Sequence, residues 1–179
     1  IVERIWEMIE NEESPQVTLD WFTSSINSIS GRVAEYWIIR YQIDVDNNKD
    51  QAISQIEKYH NRFVGIIKGN TSREKLARPV LCNAINLLYF YDYEWVKNNL
   101  IPLFESSDDD VFRQAWEGFL FTFKGGLSNE LVIALHDSLI KAFKRVNIIH
   151  DHIRTRFLEL YAYIVVHYFK NPVSDWINP

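Results

Sequence analysis

Residues 109–122 read DDVFRQAWEGFLFT, and this stretch decides the fold because its apolar residues recur at helical spacing. The residues of this apolar stripe are Val111, Phe112, Ala115, Trp116, Phe119 and Leu120. On a helix, Arg113, Gln114 and Glu117 form the opposite, polar face. The pattern therefore predicts an amphipathic α-helix.

Similar apolar stripes occur in at least six places along the chain, and no long stretch shows the alternation of a β-strand. The sequence therefore predicts an all-α fold. From about Ser72 onward, short turns separate the predicted helices, which favours antiparallel helix pairs with a unit of roughly 38 residues. Such pairs stack as a HEAT-like α-solenoid, and a compact helical array is the alternative.

The composition is typical of a folded protein. Hydrophobic residues make up 47% of the 179 residues and aromatic residues 15%, well above the content of a disordered segment. A chain of this length is expected to form one helical domain over residues 1–179 with a full core. The chain begins at Ile1, within a helical pattern and without Met, so we expect a C-terminal fragment of a larger protein.

Charge and cysteine content narrow the function classes. The net charge is −5 and the basic residues are spread along the chain, so nucleic acid is an unlikely partner. The single cysteine, Cys82, excludes a disulfide scaffold and a cysteine-based zinc site within the chain. No run reaches the ~18 apolar residues that a membrane span needs, and a reducing cytoplasm is the expected compartment.

Turn residues and caps predict the helix boundaries. Gly31 is expected to link two helices, and the polar tract Asp44 to Asp50 is expected to form a loop. One helix is predicted from Ser72 to about Leu88, with Pro79 marking either a kink or the true start. A single helix is also predicted from Ser128 to about Arg145.

The residues able to do chemistry are few, and each has a structural explanation. His150 and His152 would form a metal site with Asp151 only in a loop, because residues two apart on a helix point about 200° away from each other. Cys82 lies in an apolar run and is expected to be a buried thiol with a raised pKa. We expect no catalytic residue, no metal site and no cofactor in this chain.

Two short segments place a tryptophan near a small residue. Gly31 and Trp37 bound the segment GRVAEYW, and Trp116 lies near Gly118 in the segment RQAWEGFL at 113–120. A small residue lets two helices approach closely while the indole fills the adjacent space. These two glycines and two tryptophans are therefore predicted as packing residues.

The same two segments, together with ARPVL at 77–81 and WVKNNLIPLFE at 95–105, resemble the uncharacterised helical family DUF four-thousand-and-twenty. The resemblance covers nearly the whole chain in order. In bacterial proteins that family is similar in placement to a C-terminal module behind sirtuin-like domains in large proteins of phage defence. The resemblance implies an upstream effector domain in the same chain and a role in antiviral defence, and it brings no catalytic residues.

These features favour a non-enzymatic helical scaffold or sensor that binds a protein partner, or itself, and controls the attached effector. The residues expected at a partner surface are Tyr89, Tyr91, Tyr93, Lys141, Lys144 and Arg145. The alternative is a nucleic-acid-binding helical domain in which the adjoining ends of two helices form a local basic patch. An enzyme is the third possibility, and it would need a pocket that gathers His, Asp and Glu residues.

Overall fold

The computed structural model describes residues 1–9, 19–47, 52–122 and 127–168, and within these ranges the regular elements are helices. The all-α prediction is confirmed, and the helices pack as a compact array. Two short 3₁₀ segments, Ile101–Glu105 and Val146–Ile148, join α-helices. The α-helices are α1 (Val2–Met8), α2 (Trp21–Ile26), α3 (Ile29–Asn47), α4 (Ala52–Lys68), α5 (Ser72–Asn83), α6 (Ile85–Tyr91), α7 (Tyr93–Asn99), α8 (Asp109–Phe121), α9 (Asn129–Ala134), α10 (His136–Lys144) and α11 (Asp151–His167).

Helices α5 and α8 form the centre of the array, and their mutual contact is the most extensive between any two described elements. Helix α5 also packs on α2, α3 and α4, whereas α8 packs on α2, α11 and the 3₁₀ segment at 101–105. A Cβ at Gly118 would lie 2.8 Å from Pro79 Cα, closer than side-chain atoms approach backbone. Gly118 therefore sets how closely α5 and α8 approach.

The two tryptophans predicted as packing residues lie in the core. Trp116 has no exposed surface and donates a hydrogen bond from Nε1 to the carbonyl oxygen of Phe104 at 3.0 Å. Its ring packs edge-on against Phe104 and Phe157. Trp37 is also buried, and it packs edge-on against Trp6 with ring centroids 5.0 Å apart. Trp116 thus joins α8 to α11, and Trp37 joins α3 to α1.

The start and end of α3 differ from the sequence prediction. Gly31 lies inside the first turn of α3, where a Cβ would collide with the carbonyl group of Ser25 at the end of α2. The expected loop from Asp44 is wrong as far as Asn47, because α3 continues to that residue. Arg40 and Asp44 form an ion pair of 2.9 Å across one helical turn, which stabilises this continuation. The rest of the expected loop lies outside the described residues.

Two helices predicted as continuous are each divided in the structure. The first divides at Ala84, whose ψ of 9° separates α5 from α6, and Pro79 lies inside α5 instead of at its start. Asn83 fixes the end of α5 by donating hydrogen bonds to the carbonyl oxygen of Gly118 and the hydroxyl of Thr122. Helices α9 and α10 are separated in the same way, by a buried leucine at position 135.

The polar face predicted for α8 is buried at two of its three residues. Gln114 and Glu117 have no exposed surface, because neighbouring helices enclose α8 on its polar side as well as its apolar side. The side chain of Gln114 accepts a hydrogen bond from Arg78 of α5, which also donates to the carbonyl oxygen of Gly69 at 2.5 Å. The centre of the array is therefore partly polar.

Glu117 connects three parts of the chain. Its carboxylate accepts a hydrogen bond from the backbone N–H of Trp21 at 2.7 Å and another from the backbone N–H of His150 at 3.1 Å. Arg113 donates to the same carboxylate at 2.9 Å. Trp21 begins α2 and His150 caps α11, so one buried carboxylate satisfies the N-termini of two helices.

The length and hydropathy of the helices bear on membrane association. In the part of the chain that the structure describes, no helix has the length and the apolar character needed to cross a bilayer.

Candidate functional site

An aromatic groove lies where α6, α7 and α9 meet, and we call it the α6–α9 groove. It has a volume of about 530 Å³. The described residues that line it are Asn86, Tyr89, Phe90, Tyr93, Ser128, Glu130 and Leu131. Tyr89 and Tyr93 belong to the partner surface predicted from the sequence, and the structure brings these two together in one depression.

The joint between α6 and α7 builds the aromatic wall of the groove. Asp92 ends α6 and caps α7 by accepting a hydrogen bond from the N–H of Trp95 at 2.9 Å. Because only Asp92 separates the two helices, Tyr89 and Tyr93 lie side by side with ring centroids 6.3 Å apart. Phe90 adds a third ring and is 81% exposed. An exposed aromatic cluster of this kind is typical of a contact site.

The groove carries negative charge. Burial raises the pKa of the Tyr89 hydroxyl, and the nearby carboxylates of Glu130 and Glu94 raise it further. A hydrogen bond to Glu94 raises the pKa of Tyr93. Among the described residues that line the groove, none is Lys, Arg or His. The groove is therefore suited to apolar and cationic groups.

Tyr91 does not take part in the groove. Its hydroxyl donates a hydrogen bond to Asp46 of α3 at 2.6 Å, and its ring packs edge-on against Tyr41 at 5.7 Å. Tyr91 therefore holds α6 against α3, and the predicted tyrosine cluster is divided between two sides of α6.

The predicted basic residues lie outside the groove. Lys141 forms an ion pair with Glu105, and Arg145 forms one with Asp109 at 2.7 Å. Arg145 also donates to a backbone carbonyl at the end of the 3₁₀ segment 101–105. Lys144 is exposed in the last turn of α10. Two of the three cations thus attach α10 to the region around the N-terminus of α8.

No protein-family model, curated protein or solved structure matches this chain. The resemblance to the family DUF four-thousand-and-twenty therefore stays a prediction, and so does the role in defence that it implies. The groove is assigned from geometry and charge alone.

The two histidines expected to point apart on a helix lie together instead. His150 is the N-cap of α11 and lies outside the helix, so its ring can reach His152. The two Nδ1 atoms are 2.8 Å apart, and Nε2 of His152 lies 3.3 Å from Asp20. Because His152 directs a different ring nitrogen to each neighbour, the three side chains do not converge on one point. The described residues contain no group of His, Cys, Asp and Glu side chains able to hold a metal ion.

Two further reactive side chains serve packing. Cys82 is fully buried, and burial raises the pKa of its thiol to about 12, which confirms the expected buried thiol. His60 stacks on Trp95 with ring centroids 4.6 Å apart, and its Nε2 lies 3.7 Å from Asp92. Burial lowers the pKa of His60, against the opposite effect of the nearby carboxylates. Both side chains are therefore held in their neutral forms near neutral pH.

Sequence reasoning missed the α9 side of the groove. Glu130 and Leu131 reach Tyr89 and Phe90 only through tertiary packing, and no local pattern relates the two segments. A signal was present for Phe90, which lies in the aromatic run YFYDY at 89–93. The three consecutive aromatic residues 89–91 cannot all lie on one face of a helix, so part of the run had to face solvent.

Proposed function

We propose that this chain is a non-enzymatic helical scaffold or sensor module that binds a protein partner in the α6–α9 groove. The exposure of Phe90 between Tyr89 and Tyr93 carries the proposal. Aromatic side chains in a shallow groove supply a large contact area with little loss of side-chain entropy, and they are enriched at the centres of protein interfaces. The capping and packing roles of His60, His150, Cys82 and Glu117 also support a binding role.

The chemistry of the groove indicates which segment of a partner it binds. The rings of Phe90 and Tyr93 favour an apolar side chain, and their π faces also attract a guanidinium or ammonium group. Glu130 adds a negative charge at the edge of the same groove. We therefore propose a partner segment that presents an apolar residue next to Lys or Arg.

The proposed setting follows from the resemblance stated above. In that setting the module lies downstream of a sirtuin-like effector domain in a bacterial defence protein. Binding of the partner in the groove would then control the effector domain. The hydrogen bonds of Glu117 support this setting, because they connect α2, α8 and α11 into one network.

A peptide selection tests the groove directly. A displayed library of random peptides is selected on the immobilised chain, and the enriched peptides are measured by calorimetry. We expect enriched sequences that combine Lys or Arg with an apolar residue. Replacing Phe90 by Ser should raise their Kd at least about tenfold, as loss of an interface hot spot does.

The matched control is Ile133→Ser, which removes another exposed apolar side chain from α9 without touching the groove lining. This variant should bind the peptides as the wild type does. Enrichment of no sequence, or equal binding by the Phe90→Ser variant, would contradict the proposal.

The nucleic-acid alternative has less support. Lys141 and Arg145 already contact carboxylates, and Arg154 pairs with Asp151 in the first turn of α11. A shift assay with duplex DNA and with single-stranded RNA at about 50 mM salt, where phosphate contacts are strongest, decides this alternative. We expect no shift.

A further inference from the structure

We infer that a second copy of this chain packs on α3, so that the two α3 helices pair antiparallel about a two-fold axis. The surface is separate from the α6–α9 groove. It is an exposed apolar stripe, which we call the α3 stripe. The side chains of the stripe are between 39% and 54% exposed, and they are Ile29, Tyr36, Ile39 and Ile43.

The other side of α3 faces the core, where Val33, Trp37 and Tyr41 are buried. Helix α3 is therefore apolar on two opposite sides. A helix at the surface of a single-chain protein ordinarily has one apolar side and one polar side. A second apolar side on the longest described helix indicates a second packing partner.

The stripe has the spacing of a coiled-coil seam. Residues 29, 36 and 43 are seven apart, and each is followed three residues later by residue 32, 39 or 46, which gives the alternating three-and-four spacing of a heptad. This spacing lets a second helix pack along the stripe with its own side chains between those of α3.

The stripe is complementary to itself in the antiparallel orientation. A two-fold axis level with the midpoint between Tyr36 and Ile39 brings Tyr36 opposite Ile39 of the partner subunit. The same axis brings Ile43 opposite the aliphatic stem of Arg32 of the partner subunit. A dimer with two-fold symmetry uses the same patch twice, so a patch must match its own image in this way.

Charge selects the antiparallel orientation. Arg32, which also pairs with Glu35 of its own helix at 3.0 Å, lies near the N-terminal end of the stripe, and Asp46 lies near the C-terminal end. A parallel pair would place Arg32 against Arg32 of the partner subunit and Asp46 against Asp46 of the partner subunit. In an antiparallel pair Arg32 is instead offset from Asp46 of the partner subunit by three residues, about 5 Å along the helix axis. Opposite charges at both ends thus favour the antiparallel dimer.

Sedimentation equilibrium tests the dimer on the 179-residue chain from about 1 to about 100 μM, which covers the micromolar range of affinity. We expect a monomer–dimer equilibrium. The Ile39→Glu substitution at the centre of the stripe should raise the dimer Kd at least about tenfold. Ile133→Glu, a change of the same kind at an exposed position on α9, should leave the Kd unchanged. Circular dichroism checks that each variant folds.

Charge reversal tests the orientation. Arg32→Glu and Asp46→Lys should each weaken the dimer, and the double variant should restore the wild-type Kd. In a parallel dimer each single reversal would replace one like-charge contact by another and leave the Kd unchanged. Tyr91→Phe is the control for Asp46, because it removes only the hydrogen bond that Asp46 accepts within one subunit.

Three results would overturn the inference. The first is a monomer at every concentration, the second is a dimer that Ile39→Glu does not weaken, and the third is a failure of the double charge reversal to restore the Kd.

Discussion

At the scale of single residues, Glu117 links parts of the chain that are far apart in sequence. Its carboxylate has no exposed surface and accepts hydrogen bonds from the backbone at Trp21 and His150 and from the side chain of Arg113. A buried carboxylate is costly unless its oxygens are satisfied by donors, and here three donors satisfy it. Through these hydrogen bonds Glu117 links α2, α8 and α11.

We predict that Glu117→Gln destabilises the fold by about 3 kcal/mol, because the charge that strengthens these hydrogen bonds is lost and Arg113 loses its partner. Urea denaturation measures the change. Glu159→Gln removes a carboxylate from an exposed position on α11 and should change the stability by less than about 0.5 kcal/mol. Equal changes in the free energy of unfolding for the two substitutions would show that the hydrogen bonds of Glu117 do not stabilise the fold.

Gly118 gives a second prediction at this scale. Gly118→Ala should destabilise the fold by about 2 kcal/mol, because the added methyl group has no room beside the backbone of Pro79. Gly65→Ala is the matched control, since Gly65 lies within α4 and a Cβ there meets open space. That substitution should stabilise the chain by about 0.5–1 kcal/mol through helix propensity. Thermal denaturation should show a lower Tm for Gly118→Ala and a higher Tm for Gly65→Ala than for the wild type. A Gly118→Ala variant as stable as the wild type would contradict the close crossing of α5 and α8.

At the scale of the helices, His60 of α4 packs against the joint between α6 and α7. Burial lowers the pKa of this histidine in the folded state below the unfolded value of about 6.5. As the pH falls through about 6.5, the unfolded chain takes up a proton before the folded chain does. The contribution of neutral His60 to stability is therefore complete above this pH and is lost as the pH falls below it.

We therefore predict that His60→Phe makes stability less dependent on pH below about 6.5, since the ring stack on Trp95 is kept and the titration is removed. The free energy of unfolding of the wild type and of the variant is compared between pH 7.5 and pH 5.0, with the difference between them as the readout. Parallel profiles for the two proteins would contradict the prediction.

The helices were predictable from sequence because apolar spacing is a local property. The stripe of α8 and the buried side of α3 follow directly from the positions of Trp116 and Trp37. The breaks at Ala84 and Leu135 were not predictable, since neither involves Gly or Pro and the first depends on Asn83 bonding to α8. The tertiary contacts of α5 decide where it ends.

The candidate site was predictable only in part. Aromatic density led to the prediction of Tyr89, Tyr91 and Tyr93 as one surface. The structure brings Tyr89 and Tyr93 together, whereas Tyr91 contacts α3, because residues two apart on a helix point about 200° away from each other. The burial of Gln114 and Glu117 was also not predictable from the sequence, because a polar residue in a helical pattern ordinarily faces solvent. The burial depends on donors that Arg78 supplies to Gln114 and that Trp21, His150 and Arg113 supply to Glu117.

At the scale of the whole molecule, the packing of α5 and α8 predicts one cooperative core. Native-state hydrogen exchange should find the slowest amides in α5 and α8, which share the most extensive contact between any two described elements. Amides of α1 should exchange fastest, because α1 has no buried residue and contacts the array mainly through α3. In a stack of independent repeats, protection would instead vary from unit to unit along the chain. Faster exchange in α5 than in α11 would contradict the central position of α5.

The donors to Glu117 are synthesised at different times while the ribosome makes the chain. Its donor at Trp21 precedes it by 96 residues, whereas its donor at His150 follows it by 33 residues. At about 5–20 residues per second, the ribosome adds His150 roughly 2–7 s after Glu117. During that interval the carboxylate lacks one donor and α8 lacks the helix that covers Trp116. The nascent chain therefore completes its core only after the start of α11 has been synthesised.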